Sequence, residues 1–169
     1  MDVIETIMTR RSIRTFTGEP ISEEQLNTLL KVAFQAPSAS NHQPWHFVVV
    51  RDSQMLSAIA AAHRYARMLR KAGCGIVVCG DKELQKMTGF LVEECSATIE
   101  NMLLAAHGIG LGAVWCGLYP SVQLSAPIIK LLNLPENIIP VGLVVVGRKA
   151  EENPFENRYN PERIHHETW

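Results

Sequence analysis

Gly108-Ile109-Gly110-Leu111-Gly112 runs directly into Ala113-Val114-Trp115-Cys116-Gly117, and the order of elements around this junction decides the fold. A G-x-G-x-G run invites comparison with the dinucleotide fingerprint, but that fingerprint follows a strand and opens a helix. Here the order is reversed. Upstream, a helix is predicted from about Phe90 to His107; downstream, Ala113–Gly117 reads as a strand. The glycines therefore cap a helix and turn the chain, and a Rossmann-type site is excluded. The upstream helix carries Ala97, Ile99, Met102, Leu103, Leu104, Ala105 and Ala106. A helix this apolar is expected to be covered on more than one side, in a core or against another subunit.

Working outward, Val3, Ile4, Ile7 and Met8 fall on one face of a short helix behind Asp2 as N-cap. A second helix starts after Pro20, where Ser22 and Gln25 fit the S-x-x-Q capping box; Leu26, Leu29, Leu30 and Ala33 form its buried stripe, and Pro37 stops it. Phe47–Val50, Ile76–Cys79 and Val141–Val146 are short, β-branched runs without polar alternation, so each is expected to be buried on both faces. A helix over Ser53–Lys71 and a short one near Ser125–Leu132 complete the pattern, and the segment beyond Gly147 is polar. Strands separated by helices give an α+β or α/β domain with helices on both faces of one sheet.

The 169 residues suit about one domain of the usual 100–200. Lys plus Arg (16) against Asp plus Glu (17) gives a net charge of −1, so no basic field argues for nucleic acid. No apolar run approaches a membrane span, and Met1–Glu5 lacks the layout of a signal peptide. Cys74, Cys79, Cys95 and Cys116 match neither a C-x-x-C pair nor a zinc set, so a reduced, cytoplasmic protein with core thiols is expected.

Two segments carry candidate chemistry. Arg10-Arg11-Ser12-Ile13-Arg14 places three guanidiniums and a hydroxyl in five residues, with no acidic residue within 9–17. Arginine suits bidentate phosphate contact, so anion binding competes evenly here with an ordinary solvated face. Ala36-Pro37-Ser38-Ala39-Ser40-Asn41-His42-Gln43-Pro44-Trp45 is a loop rich in hydroxyls and amides and pinned by prolines; its Asn and Gln side chains are able to read a heterocycle edge. His42 and His46 have the spacing of a metal pair, but Pro44 argues against the helix that would align them, and His165-His166 point apart in an extended segment. No G-x-S-x-G is present.

R-R-S-I-R at 10–14, P-S-A-S-N-x-Q-P-W at 37–45, G-L-G-A-V-W at 110–115, P-V-G-L-V-V-V-G-R at 140–148 and R-Y-x-P-x-R-x-H at 158–165 together resemble the nitroreductase family, in order and along essentially the whole chain. The resemblance implies one FMN-binding domain over residues 1–169 with an α+β, three-layer α/β/α fold. Its central sheet would be mixed but mostly antiparallel, flanked by helices, with the C-terminal tail exchanged across a homodimer. It assigns Arg10, Arg11, Ser12 and Arg14 to the FMN phosphate and the pyrimidine edge, and Gly147 and Arg148 to a second phosphate contact. Pro37, Ser38, Ala39, Ser40 and Asn41, with Gln43 nearby, match the loop that the partner subunit lays against the flavin. Cys116 and Gly117 match the segment whose backbone lies along the ring.

The activity this resemblance implies is a ping-pong oxidoreductase. NADH or NADPH gives hydride to FMN and leaves, and a small acceptor such as a nitroaromatic or quinone follows. Two other readings compete: an FMN-binding sensor or carrier without turnover, and a metal or thiol protein using the histidines and cysteines. The chain departs from many relatives at His63-Arg64-Tyr65-Ala66-Arg67-Met68, where they place an Asn and often a Lys near the flavin. Little chain lies between Tyr119 and Pro140, which implies a more open pocket.

Overall fold

A computed structural model of the chain describes residues 2–169. Helices α1 (Val3–Thr9) and α2 (Glu23–Ala33) lead to strand β1 (Trp45–Val50), then α3 (Ser53–Ala62), α4 (Leu69–Ala72) and β2 (Cys74–Asp81). Helix α5 (Thr88–Gly108) precedes β3 (Gly112–Gly117), α6 (Val122–Leu132) and β4 (Ile138–Gly147). The four strands form one sheet in the order β1-β2-β4-β3, with every neighbouring pair antiparallel. Among the described residues, parallel pairing is confined to an isolated bridge between Ser12 and Ala113.

The sheet is the middle of three layers. Alternating side chains of β2 and β4 point to opposite faces, as the period of two requires. Ile76, Val78, Val144 and Val146 pack on the α2/α5 side with Leu29, Ile99 and Met102. Val77, Cys79, Leu143 and Val145 pack on the α3/α4/α6 side with Ile59, Leu69 and Ile128. The expectation of strands buried on both faces holds for β2 and for most of β4 but not for β1. There His46 and Val49 are exposed, because β1 is an edge strand with only partial helix cover.

Local chemistry explains the helix boundaries. Ser22 Oγ accepts from the Gln25 amide at 3.1 Å and Gln25 Oε1 accepts from the Ser22 amide at 3.0 Å, closing the capping box that opens α2. Gly110 takes φ +81° at the end of α5, where a side chain would be strained. Pro140 is tolerated inside β4 because it sits opposite Cys79, at the register irregularity following Val78. The single helix expected over 53–71 is two. It breaks at His63, whose backbone turns extended (φ −114°, ψ 101°), and resumes as the four-residue α4.

Large apolar side chains remain exposed on two helices. Helix α1 buries only Thr6 and turns Val3, Ile4, Ile7 and Met8 outward. Helix α5 buries the stripe Leu91, Glu94, Cys95, Thr98, Ile99, Met102 and Ala106, while Phe90 is exposed. Among the described residues no helix is long and apolar enough to cross a membrane, and no cluster of three metal-ligating side chains occurs.

Candidate functional site

The arginine segment is stitched to one end of the sheet. The Ile13 amide donates to the Ala113 carbonyl at 3.0 Å, the Thr17 amide donates to the Arg148 carbonyl at 3.0 Å, and Phe16 bridges Lys149. Gly112 and Gly147 pair in register beneath it. A Cβ on Gly112 would press on Ile13 and Lys149, and one on Gly147 would run into the Ala72 carbonyl. Glycine at these two places lets separate backbones close in, and so brings residues 10–14 together with Gly147 and Arg148.

Arg11, Ser12 and Arg14 line a cavity of about 600 Å³ with Asn153, Pro154 and Phe155. Arg14 also lines a second cavity of about 420 Å³, walled by Tyr65, Met68, Trp115, Cys116 and Gly117. The arginines differ in how far they are already engaged. Arg11 donates to the carbonyls of Met8 (3.2 Å), Arg10 (2.6 Å), Pro154 (3.0 Å) and Glu156 (3.3 Å), and lies 5.5 Å from the centre of the Phe155 ring. It is a tail anchor as much as a free cation. Arg10 Nε is buried without a hydrogen-bond partner, 3.4 Å from a Glu100 carboxylate oxygen. Arg148 pairs with Glu19 at 3.4 Å on the surface. The Arg14 guanidinium forms no ion pair among the described residues.

The C-terminal segment of the same chain crosses this region. Glu151 accepts from the Arg14 amide (2.5 Å), the Thr15 amide (3.0 Å) and the Thr15 hydroxyl (2.9 Å), and Asn153 Nδ2 donates to the Ser12 carbonyl at 3.0 Å. The Arg14 amide and the Thr15 hydroxyl hold the Glu151 carboxyl below its ordinary value.

In the second cavity, Cys116 Sγ–H donates to the Tyr65 carbonyl at 3.4 Å. Burial pushes this thiol up to about 11, against the opposing pull of Arg14, so it stays a protonated donor at neutral pH. His63 is wholly buried and bonds the Gly117 carbonyl at 3.0 Å. Nothing lies within 4 Å of where a Gly117 Cβ would be, so this wall is open to a flat ligand.

The 37–43 loop lies elsewhere. Pro37, Ser38 and Ala39 line a separate cavity of about 310 Å³ with Phe90, Glu93, Glu94 and Ala97, while Ser40, Asn41 and Gln43 are exposed. Within this chain the loop does not reach the arginine cavity. Ser40, Asn41 and Gln43 have φ of 51°, 57° and 49°. Left-handed backbone costs non-glycine residues about 1–2 kcal/mol each, less for Asn. His42 and His46 hold no metal geometry: His42 Nδ1 faces Gln85 Nε2 at 3.1 Å, and His46 Nε2 lies 3.6 Å from Asp81.

Within the stretch 63–68, Tyr65 and Met68 wall the second cavity, joined by Trp115. The tail residues 153–156, which no motif marks, line the arginine cavity together with Arg158. Tyr65 offered a local cue, an aromatic in the polar run 63–67. The tail contacts are long-range and leave none.

The model of the family described as "Nitroreductase family" matches residues 7–148. A protein of Methanothermobacter thermautotrophicus, provisionally named NADH dehydrogenase/NAD(P)H nitroreductase, is 43% identical over 169 residues, covering 100% of this chain and 88% of its own length. A crystal structure from Parabacteroides distasonis with the same provisional name superposes with a TM-score of 0.95 at 36% identity, over 99% of this chain and 98% of that one. A provisionally named nitroreductase from Desulfovibrio desulfuricans, solved in complex with FMN, superposes with a TM-score of 0.87 at 31% identity, over 100% of this chain and 98% of that one.

Proposed function

The chain belongs to the nitroreductase family, and we propose that it is an FMN-dependent oxidoreductase that draws hydride from NADH or NADPH. The observation that carries this reading is Arg14, common to two cavities of different character. One is lined by Arg11 and Ser12, with Arg158 on its tail side, and suits a phosphate. The other is walled by Tyr65, Trp115 and the Cys116-Gly117 backbone, and suits a planar ring. The buried Arg10 Nε, paired with Glu100 at 3.4 Å but without a hydrogen bond, is a donor that a phosphate oxygen would satisfy.

On this reading Arg10, Arg11, Ser12, Arg14, Gly147 and Arg148 hold the phosphate end of FMN, and Cys116 and Gly117 present backbone to the ring. Pro37, Ser38, Ala39, Ser40, Asn41 and Gln43 reach the ring from the partner subunit of a homodimer, in which residues 1–169 form one FMN-binding domain. The uncovered apolar face of α1 and the exposed Phe90 of α5 support such a partner. FMN, when bound, supplies the hydride chemistry; the protein holds it and leaves one face open. The nicotinamide leaves before a nitroaromatic or quinone enters the same space, and the exposed Tyr65 and Trp115 at the cavity wall support a broad choice of acceptor. The setting proposed is the cytoplasm.

The test is the visible spectrum of the purified protein, followed by release of the chromophore and steady-state NADH and NADPH oxidation with a quinone. FMN at near one per subunit, with turnover, is expected. Arg10→Ala or Arg148→Ala should lower flavin occupancy without unfolding the protein. A colourless protein that takes up no added FMN overturns the proposal, and a yellow protein without turnover reduces it to a binding module.

A further inference from the structure

The 38–43 loop holds three left-handed, non-glycine residues within four positions, Ser40, Asn41 and Gln43. Such backbone persists only where the surroundings over-determine it. Part of the restraint is internal: the Gln43 amide donates to Ser38 Oγ at 3.0 Å, and Gln43 Nε2 donates to Asn41 Oδ1 at 2.7 Å. The rest comes from two buried polar side chains outside the loop. Glu94, on α5, accepts from the Ala39 amide at 2.8 Å and from Gln85 Nε2 at 3.2 Å, both on Oε1. Gln85 Nε2 also faces His42 Nδ1 at 3.1 Å, and Gln85 Oε1 accepts from the Met87 amide at 3.1 Å. The two side chains are 5% and 3% exposed, and Glu94 Oε2 is buried with no partner at all.

A buried carboxylate with an unsatisfied oxygen is unfavourable in itself. Glu94 is therefore poorly explained as a core residue and well explained as a bracket: one oxygen receives both the loop amide and the glutamine that reaches the loop's histidine. We propose that Glu94, backed by Gln85, is a positioning residue that holds the strained 38–43 loop in the shape needed to wall the flavin ring. This rests on the functional reading above, because the loop's partner in that reading is the ring. The amides of Ala39, Asn41, His42 and Gln43 are bonded within the protein, which leaves those of Ser38 and Ser40 to face the ring. Held there they would stabilise the negative charge it gains on reduction, so a slack loop should lower the midpoint potential as well as the affinity.

The experiment compares FMN dissociation constants, the bound-flavin spectrum and the midpoint potential in full-length wild type, Glu94→Ala and Glu94→Gln, with far-UV circular dichroism as the fold check. Glu94→Ala should weaken FMN binding by about tenfold or more, the scale of a lost hydrogen bond to a charged acceptor. It should also lower the potential and alter the flavin band. Glu94→Gln keeps an oxygen for the Ala39 amide and should stay near wild type. If Glu94→Ala does not fold, Gln85→Met carries the same comparison, with a smaller shift in the same direction. Wild-type protein that takes up no FMN overturns the functional reading and this inference with it. Wild-type binding matched by the variants overturns this inference alone. So does weaker binding with an unchanged potential and spectrum, or a Glu94→Gln as impaired as Glu94→Ala.

Discussion

His63 Nε2 lies 3.0 Å from the carbonyl oxygen of Gly117, 54 residues further along the chain. The Tyr65 amide approaches the other ring nitrogen, Nδ1, at 3.3 Å. An amide only donates, so Nδ1 carries no proton and the ring's hydrogen sits on Nε2, aimed at Gly117. One buried imidazole thus ties the end of β3 to the segment carrying Tyr65, and both are walls of the cavity assigned to the ring.

Removing that tie should be costly. His63→Ala leaves the Gly117 carbonyl and the Tyr65 amide unpaired and opens a void, a combination worth about 2–4 kcal/mol. The midpoint of urea unfolding should fall accordingly. His63→Phe fills the void without restoring either bond and should recover only part of the loss. Full recovery by phenylalanine would mean that packing, and not the hydrogen bonds, is what His63 supplies.

The same residue marks the limit of what the sequence discloses. Capping at Ser22 and Gln25, the long apolar helix before Gly108 and the strand after it are written in local chemistry and periodicity, and the structure has them where those signals lie. The break at His63 is marked by no Gly or Pro in 53–71; it goes with contacts that exist only in the folded chain, His63 to the Gly117 carbonyl and Cys116 to the Tyr65 carbonyl. Strand β2 likewise extends to Cys74–Asp81, beyond the apolar run 76–79, because Gly75 and Gly80 look like strand breakers. Each gives room to packed leucines, Gly75 to Leu69 of α4 and Leu143 of β4, and Gly80 to Leu91 of α5. In the site, the arginines and Gly147-Arg148 were legible as motifs. Their meeting at one sheet end, and the crossing of residues 151–158, depend on tertiary pairing.

The four thiols should be inert in the folded protein. Burial pushes Cys74 and Cys116 up to about 11, and Cys79 and Cys95 up to about 12. Thiolate is the reactive form, so iodoacetamide labelling at pH 7.5 should be slow until denaturant is added and then complete at all four positions. Mass spectrometry of the alkylated protein reads the result directly. Rapid labelling of Cys116 in the native state would show that its cavity admits solvent and that the thiol ionises there.

Glu151 should report the docking of the tail by its titration. Its folded value lies below the ordinary 4.5, held first by the Arg14 amide and then by the Thr15 hydroxyl. A depressed carboxylate contributes stability that is fully present above its unfolded value and is lost as pH falls through the folded one. The amide proton shifts of Arg14 and Thr15 should therefore titrate together with a midpoint below 4.5, and the tail should loosen only beneath it. Glu151→Ala should abolish that titration. It should change overall stability little, since an exposed charge interaction is worth about 0–1 kcal/mol.

Gly117 and Gly147 separate binding from folding, because the same substitution meets opposite surroundings. A Cβ at Gly147 runs into the Ala72 carbonyl, which is backbone and cannot swing aside. Gly147→Ala should therefore destabilise the fold by about 1–3 kcal/mol, the usual scale of overpacking, and lower the urea midpoint whether or not flavin is present. A Cβ at Gly117 has nothing within 4 Å. Gly117→Ala should leave stability within about 0.5 kcal/mol of wild type, as a substitution into open space does. The open space is what the ring is proposed to occupy, so the same methyl group should weaken FMN binding in a fully folded protein. Unchanged FMN affinity in Gly117→Ala would remove this glycine from the ring-facing wall, whereas lost stability without flavin would show that the space is not free.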